Sequence, residues 1–266
     1  MRTILILSTF AFLGACRQTT PDACLGLMSP TDGPSNLVGR VFFIHCGPVY
    51  GTAFTIDVLG RQYLVTARHV AQAFQGSGTI ELYTHGAWKP FPTRLTGHGA
   101  GNIDVSVLAV DRLLTRPNMP LTAASKDLIW GQDVFLLGFP LVLPMRGFNP
   151  TSGEWPVPFA KKAVASLLDP AAETVLLDGH SNKGMSGGPV VFANRKTDGQ
   201  FEVAAVISTG LAVETLDLNG QAIPDPVDSN GQQRVYYDAG VVVAYKIDAA
   251  LELIRANPNG FEFGGV

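Results

Sequence analysis

The chain has 266 residues, enough for one large domain or two small ones sharing a core, and its 46% hydrophobic residues can fill that core. Its 29 glycines and 18 prolines favour many short strands and turns over long helices. A formal net charge of −3 lacks the basic footprint that nucleic acid requires, so no partner of that kind is expected.

The first fifteen residues stand apart. Arg2 precedes an apolar run over 4–15 that is too short to cross a bilayer and has the length of a signal-peptide core. Its end, Leu13-Gly14-Ala15-Cys16, resembles the lipobox of bacterial lipoproteins. That resemblance implies cleavage before Cys16 and lipid on its sulfur and new amino terminus, which would anchor the chain to a membrane. The alternative is an ordinary secretory signal followed by a chance cysteine. Arg17 replaces the aspartate associated with inner-membrane retention, so the expected location is the outer membrane, facing the periplasm. Residues 16–37 are rich in Pro, Thr, Ser and Gly and read as a tether. Cys24 and Cys46 form a candidate disulfide in an exported chain, or remain two unpaired thiols.

Strand-like runs rich in β-branched and aromatic residues fill 41–46, 51–58 and 62–66, with Leu59-Gly60 as a hairpin turn between the last two. A short helical turn is expected over 70–74, after His69. Further strands are expected at 79–83, 92–95 and 105–110, before a connector over 111–126. Strands resume at 133–139, 162–168, 174–177, 190–192, 201–208 and 235–244. The loops at 140–158 and 216–233 have a length that in compact domains is often functional. Ile247, Ala250, Leu251 and Ile254 fall at helical spacing over 247–256, and Asn257-Pro258 would stop that helix. Two groups of strands and one terminal helix point to an all-β chain of two packed barrels. The first covers 38–118, the second with the helix covers 119–256, and 257–266 is a tail. The chain ends at Val266, soon after the helix, and no appended peptide-binding domain is expected.

The stretch Gly184-Met185-Ser186-Gly187-Gly188-Pro189 places a serine between glycines, ahead of an apolar strand. Glycine there can adopt positive φ and lets a substrate approach an exposed hydroxyl closely. A serine nucleophile at neutral pH needs a base, and histidine suits that role. All five histidines precede Ser186. That order removes the esterase-type elbow that the same letters fit, because that fold places its histidine after the serine.

Tyr63-Leu64-Val65-Thr66-Ala67-Arg68-His69-Val70 resembles the histidine segment of chymotrypsin-like serine proteases, and Gly51-Thr52-Ala53-Phe54 resembles their glycine-rich strand entry. Asn102-Ile103-Asp104-Val105, leading an apolar run, resembles their aspartate segment, and the Ser186 stretch nearly matches the G-x-S-G-G-P signature. Gly138-Phe139-Pro140 resembles a segment of bacterial, HtrA-type members. The resemblance covers 38–254, and three motifs in the family's order are specific where any one would be weak. It implies two packed antiparallel six-stranded β-barrels, chymotrypsin-like, with a short C-terminal helix. It also implies a serine endopeptidase that cleaves protein or peptide substrates through an acyl-enzyme.

In that reading Ser186 is the nucleophile, His69 its base and Asp104 the orienter of the base, with the backbone N–H groups of Gly184 and Ser186 as oxyanion donors. Ser208-Thr209-Gly210 resembles the strand that pairs with substrate backbone, and Ser208 would also hold Asp104. No cofactor is implied, and no cysteine–histidine spacing suggests zinc.

The family pattern breaks in places. Met185 stands where digestive and clotting proteases carry an aspartate that pairs with a newly cut amino terminus, so that activation switch is not expected. No cysteine follows His69. Counting back from Ser186 puts His180 at the base of the primary pocket, with Gly210 and Gly240 as walls. His180 with Ser181 would favour acidic side chains, or it is a packing residue; Asp178, brought in by a loop shift, would favour Lys or Arg. Thr209 replaces a frequently aromatic position, and the cleavage preference stays open at this level. His45, His85 and His98 have no catalytic context, and His98 lies between two glycines as in a solvated loop. The rival to an enzyme is a catalytically silent protein-binding lipoprotein on the same scaffold, since fold does not fix function.

Overall fold

The computed structural model describes residues 35–115, 121–142, 156–197, 200–223 and 236–263. The signal run, Cys16, Cys24 and most of the loops at 140–158 and 216–233 lie outside the described residues.

A 3-10 helix, Ser35–Arg40, leads into β1 (Val41–Cys46), β2 (Val49–Val58) and β3 (Arg61–Thr66), which pair antiparallel in that order. Leu59 and Gly60 both have positive φ, 53° and 71°, the twist that suits a two-residue hairpin. The strands β4 (Ser77–Thr84), β5 (Ala87–His98) and β6 (Ser106–Val110) follow, and pairing of β3 with β6 closes the barrel. β5 runs far beyond the residues 92–95 expected for it. Its Pro90 and Pro92 look unsuited to a strand, because proline cannot donate to the ladder. Both lie in a portion paired with β4 alone; β6 joins only from Thr93 onward. An edge tolerates them.

The second barrel is built from β7 (Asp133–Gly138), β8 (Phe159–Leu168), β9 (Thr174–Asp178), β10 (Pro189–Ala193), β11 (Phe201–Glu214) and β12 (Tyr236–Lys246). They close in the order β10-β11-β12-β9-β8-β7. The expected all-β architecture of two six-stranded antiparallel barrels, chymotrypsin-like, is the one observed.

One hydrophobic cluster joins the barrels, with Phe54, Val65 and Val105 from the first and Val191, Val206 and Ile247 from the second. Fully burying a side chain of this size contributes about 1.5–3 kcal/mol. The seam is therefore rigid, and a site spanning it can be held in fixed geometry. The terminal helix, α2 (Asp248–Ala256), buries Ala249, Ala250, Leu251 and Ile254. Although it follows the second barrel in sequence, it docks on the first: Leu253 packs at Gly97, and Asn257 Nδ2 donates to Thr96 O at 3.0 Å. The expected tail then contributes β13 (Phe261–Glu262), which pairs with β3.

Among the described residues Cys46 is an unpaired, buried thiol in the first barrel, and burial pushes its pKa up. Its candidate partner Cys24 lies outside the described residues. Among the described residues no helix is long and apolar enough to cross a membrane.

Candidate active site

The histidine segment ends β3 and opens α1 (Arg68–Ala71), so His69 lies within the short helix rather than ahead of it. Asp104 stands just before β6, and the two residues meet at the seam. His69 Nδ1 lies 2.7 Å from Asp104 Oδ2, and the His69 backbone N–H donates to Oδ1 at 2.8 Å. Ser208 Oγ donates to the same Oδ2 at 2.6 Å. A carboxylate only accepts, so this contact fixes the imidazole proton on Nδ1 and leaves Nε2 as the acceptor.

Burial works against the Asp104 charge. The hydrogen bonds from the His69 ring, Ser208 and the His69 backbone outweigh it and hold the carboxyl below its ordinary value. A lowered folded pKa contributes stability that is fully present above the unfolded value, about 3.9, and is lost as pH falls through the folded value. The difference in Tm between wild type and Asp104→Asn is therefore expected to hold steady above about pH 5 and to shrink below about pH 4. A difference unchanged down to pH 2 would contradict that assignment.

The loop that carries Asp104 is itself clamped. Arg68 Nη1 donates to the carbonyls of Gly99 and Gly101 at 3.0 and 2.8 Å, and Tyr245 Oη donates to Asn102 O at 2.5 Å. Burial and then the negative charge of Asp104 raise the Tyr245 pKa. These positioning residues escaped the sequence reading.

The turn that carries Ser186 belongs to the second barrel and packs on β2 and the end of β3, next to the segment that carries His69. Thr52 ties the turn across the seam: its N–H donates to Ser186 O at 2.8 Å and its Oγ1 to Gly184 O at 2.7 Å. Gly187 N–H donates to Ile207 O at 2.7 Å. A Cβ on Gly51 would stand 2.7 Å from Val70 and 3.1 Å from Ser186 O, so β2 packs closely on both the serine backbone and the residue that follows His69. Met185 is fully buried in the second core, an apolar anchor for the turn.

Leu141 N–H donates to Lys183 O at 2.6 Å. In a trans peptide the C=O and N–H point in opposite directions, so this bond turns the Gly184 N–H away from Leu141. Among the described residues, neither the Gly184 nor the Ser186 N–H donates to a protein acceptor. Ser186 Oγ makes no hydrogen bond to the described residues either.

A model of the trypsin-like peptidase domain matches residues 51–198, more than half of the chain. The chain belongs to the trypsin-like peptidase family. No curated protein sequence matches it. Among solved structures, it is similar to the active form of the Rv3671c protease from M. tuberculosis, with a TM-score of 0.53 at 19% identity over 98% of this chain and 97% of that one. A serine endoprotease from Yersinia pestis aligns with a TM-score of 0.51 at 18% identity, covering 86% of this chain and 67% of that one. The HtrA-type protease AlgW with tripeptide gives 0.51 at 17%, covering 86% and 63%. At these identities the likeness is one of fold.

In this trypsin-like peptidase a cleft of about 350 Å³ opens beside Ser186. Of the residues expected to bind substrate, Thr209 and Gly210 line it, whereas Ser208 turns to Asp104. His180 and Gly240 stand beside the cleft rather than at its base and wall: the His180 side chain is 68% exposed, and a Cβ on Gly240 would lie 3.6 Å from its ring. Asp178 is occupied in the barrel ladder, opposite Val241 and Val164. Asp238 lines the cleft instead, brought there by the pairing of β12 with β11 opposite Ala212. Among the described residues no group of His, Cys, Asp and Glu is arranged to hold a metal.

Proposed function

We propose that the chain is a serine endopeptidase that hydrolyses peptide bonds with Ser186, His69 and Asp104. The observation that carries the reading is the Asp104 carboxylate, bonded twice by His69 and once by Ser208 at the seam on which the Ser186 turn packs. Ser186 Oγ attacks the scissile carbonyl while His69 Nε2 takes its proton. The tetrahedral adduct then expels the amine, which leaves with that proton, and an acyl-enzyme remains. Water, deprotonated by the same imidazole, attacks the ester and frees the serine. Asp104 keeps the ring in the tautomer with Nε2 unprotonated and stabilises the imidazolium.

The N–H groups of Gly184 and Ser186 are the oxyanion donors in this scheme. Removing one such donor from a related protease costs about 2.7–4 kcal/mol in the barrier. The Leu141 bond to Lys183 O and the burial of Met185 favour this orientation without any newly cut amino terminus. The exposed stretch of β11 at Thr209 and Gly210 would pair with substrate backbone. Incubation with an unfolded protein tests the proposal: new amino termini are expected from the wild-type chain and not from Ser186→Ala, and equal fragmentation by both would overturn it.

We propose further that the chain is lipid-anchored through Cys16, on the strength of the Leu13-Gly14-Ala15-Cys16 pattern and the apolar run before it. Mass spectrometry of the amino-terminal peptide tests this. A diacylglyceryl adduct on Cys16 is expected, and an unmodified terminus elsewhere would contradict it.

A further inference from the structure

We propose that Asp238 gives the cleft beside Ser186 a preference for a positively charged substrate side chain, Lys or Arg, at the residue whose carbonyl is attacked. The proposal rests on the peptidase reading above and names its substrate class. Asp238 is the one carboxylate among the described residues that line the cleft. Its Oδ1 accepts the Gly240 N–H at 2.9 Å. Its Oδ2 is buried with no donor among the described residues. His180 Nδ1 lies 3.3 Å away but is not aligned for a hydrogen bond.

A buried carboxylate oxygen without a donor is unfavourable. An ammonium or guanidinium entering from the substrate would provide both the donor and the opposite charge, and charge-assisted bonds of this kind are the strong ones. Gly210 keeps the approach open: a Cβ there would touch Asp238 Cγ and Oδ1 at 3.7 Å and crowd Ser181 O at 3.3 Å. His180 is largely exposed, so its ring can turn aside when a longer side chain enters.

Two features pull the other way. Lys183 also lines the cleft, and with His180 it would attract an acidic side chain. Lys183 is exposed, however, and a charge in water acts more weakly than one held partly out of it. Asp238 is less than a third exposed and fixed on a strand, so its field governs the interior of the cleft.

The test uses the full chain and matched peptides with Lys, Arg, Leu or Glu before the cleaved bond, together with a fluorophosphonate label. Lys and Arg peptides are expected to be cleaved preferentially. In Asp238→Asn the ratio of kcat/KM for Lys over Leu should fall by roughly 30-fold or more, the scale for removing one member of a desolvated charge pair. Asp238→Glu should retain the preference for a cation, and so should His180→Ala. Preference for Glu or Leu in the wild type, or an unchanged ratio in Asp238→Asn, overturns the assignment of the cleft alone. So does labelling without cleavage of the Lys and Arg peptides. Absence of both cleavage and label overturns the peptidase reading and this assignment with it.

Discussion

Replacing Ser186 by alanine is expected to lower kcat by about 10⁶-fold, the scale found when the nucleophile is removed from a serine protease. Ser186 Oγ bonds to no described residue, so the fold should be untouched and the loss should lie in the chemical step. Asp104→Asn is expected to lower kcat by about 10⁴-fold, because an amide in place of the carboxylate allows the wrong imidazole tautomer. The double variant should be no slower than Ser186→Ala alone, since an orienter has nothing to orient once the nucleophile is gone. Losses that multiply would mean that Asp104 and Ser186 act independently. Ser208 bridges the two barrels at this point: it sits on β11 and donates to a carboxylate carried by the first barrel.

Gly187→Ala is expected to destabilise the fold by more than about 4 kcal/mol, a loss that few single substitutions cause. Gly187 has φ of 87°, where a side chain is strained. An added Cβ would stand 2.1 Å from Thr52 O, 2.3 Å from Thr66 Oγ1 and 2.8 Å from Ala67 N. All three contacts belong to strands or their immediate ends, and none is the far end of a flexible side chain. The serine turn could keep its shape only by moving off β2 and β3, which would carry Ser186 away from His69. Gly60→Ala separates strain from collision. Its φ is 71° but nothing lies within 4 Å of the new Cβ, so about 1–2 kcal/mol is expected. Urea unfolding of both variants measures the difference, and equal losses would contradict the close packing of turn against seam.

The meeting of His69 with Asp104, and the turn that carries Ser186, were legible because each segment is a short local pattern whose order restricts the fold. The hairpin at Leu59-Gly60 and most strand cores were legible for the same reason: a short run of β-branched and aromatic residues, buried almost throughout, ends at a turn pair with positive φ. What depended on register was not. Asp238 reaches the cleft only because β12 pairs with β11 in one particular alignment, and Asp178 stays out because β9 uses it in a ladder. β11 continues to Glu214, past the end expected at residue 208, because β12 supplies a partner across the exposed stretch. Arg68, Tyr245 and Leu141 act through backbone carbonyls distant in sequence, which no local pattern encodes. The docking of α2 on the first barrel likewise follows from Gly97 making room for Leu253.

The proposed site makes Ser186 a nucleophile activated by His69 and Asp104. Its most direct test is to expose the folded chain to a fluorophosphonate and locate the adduct by peptide mass spectrometry. Stoichiometric label on Ser186, lost in Ser186→Ala and strongly slowed in Asp104→Asn, is the expected result. A folded chain that takes no label, or takes it on another residue, would contradict the claim and favour a protein that binds without cutting.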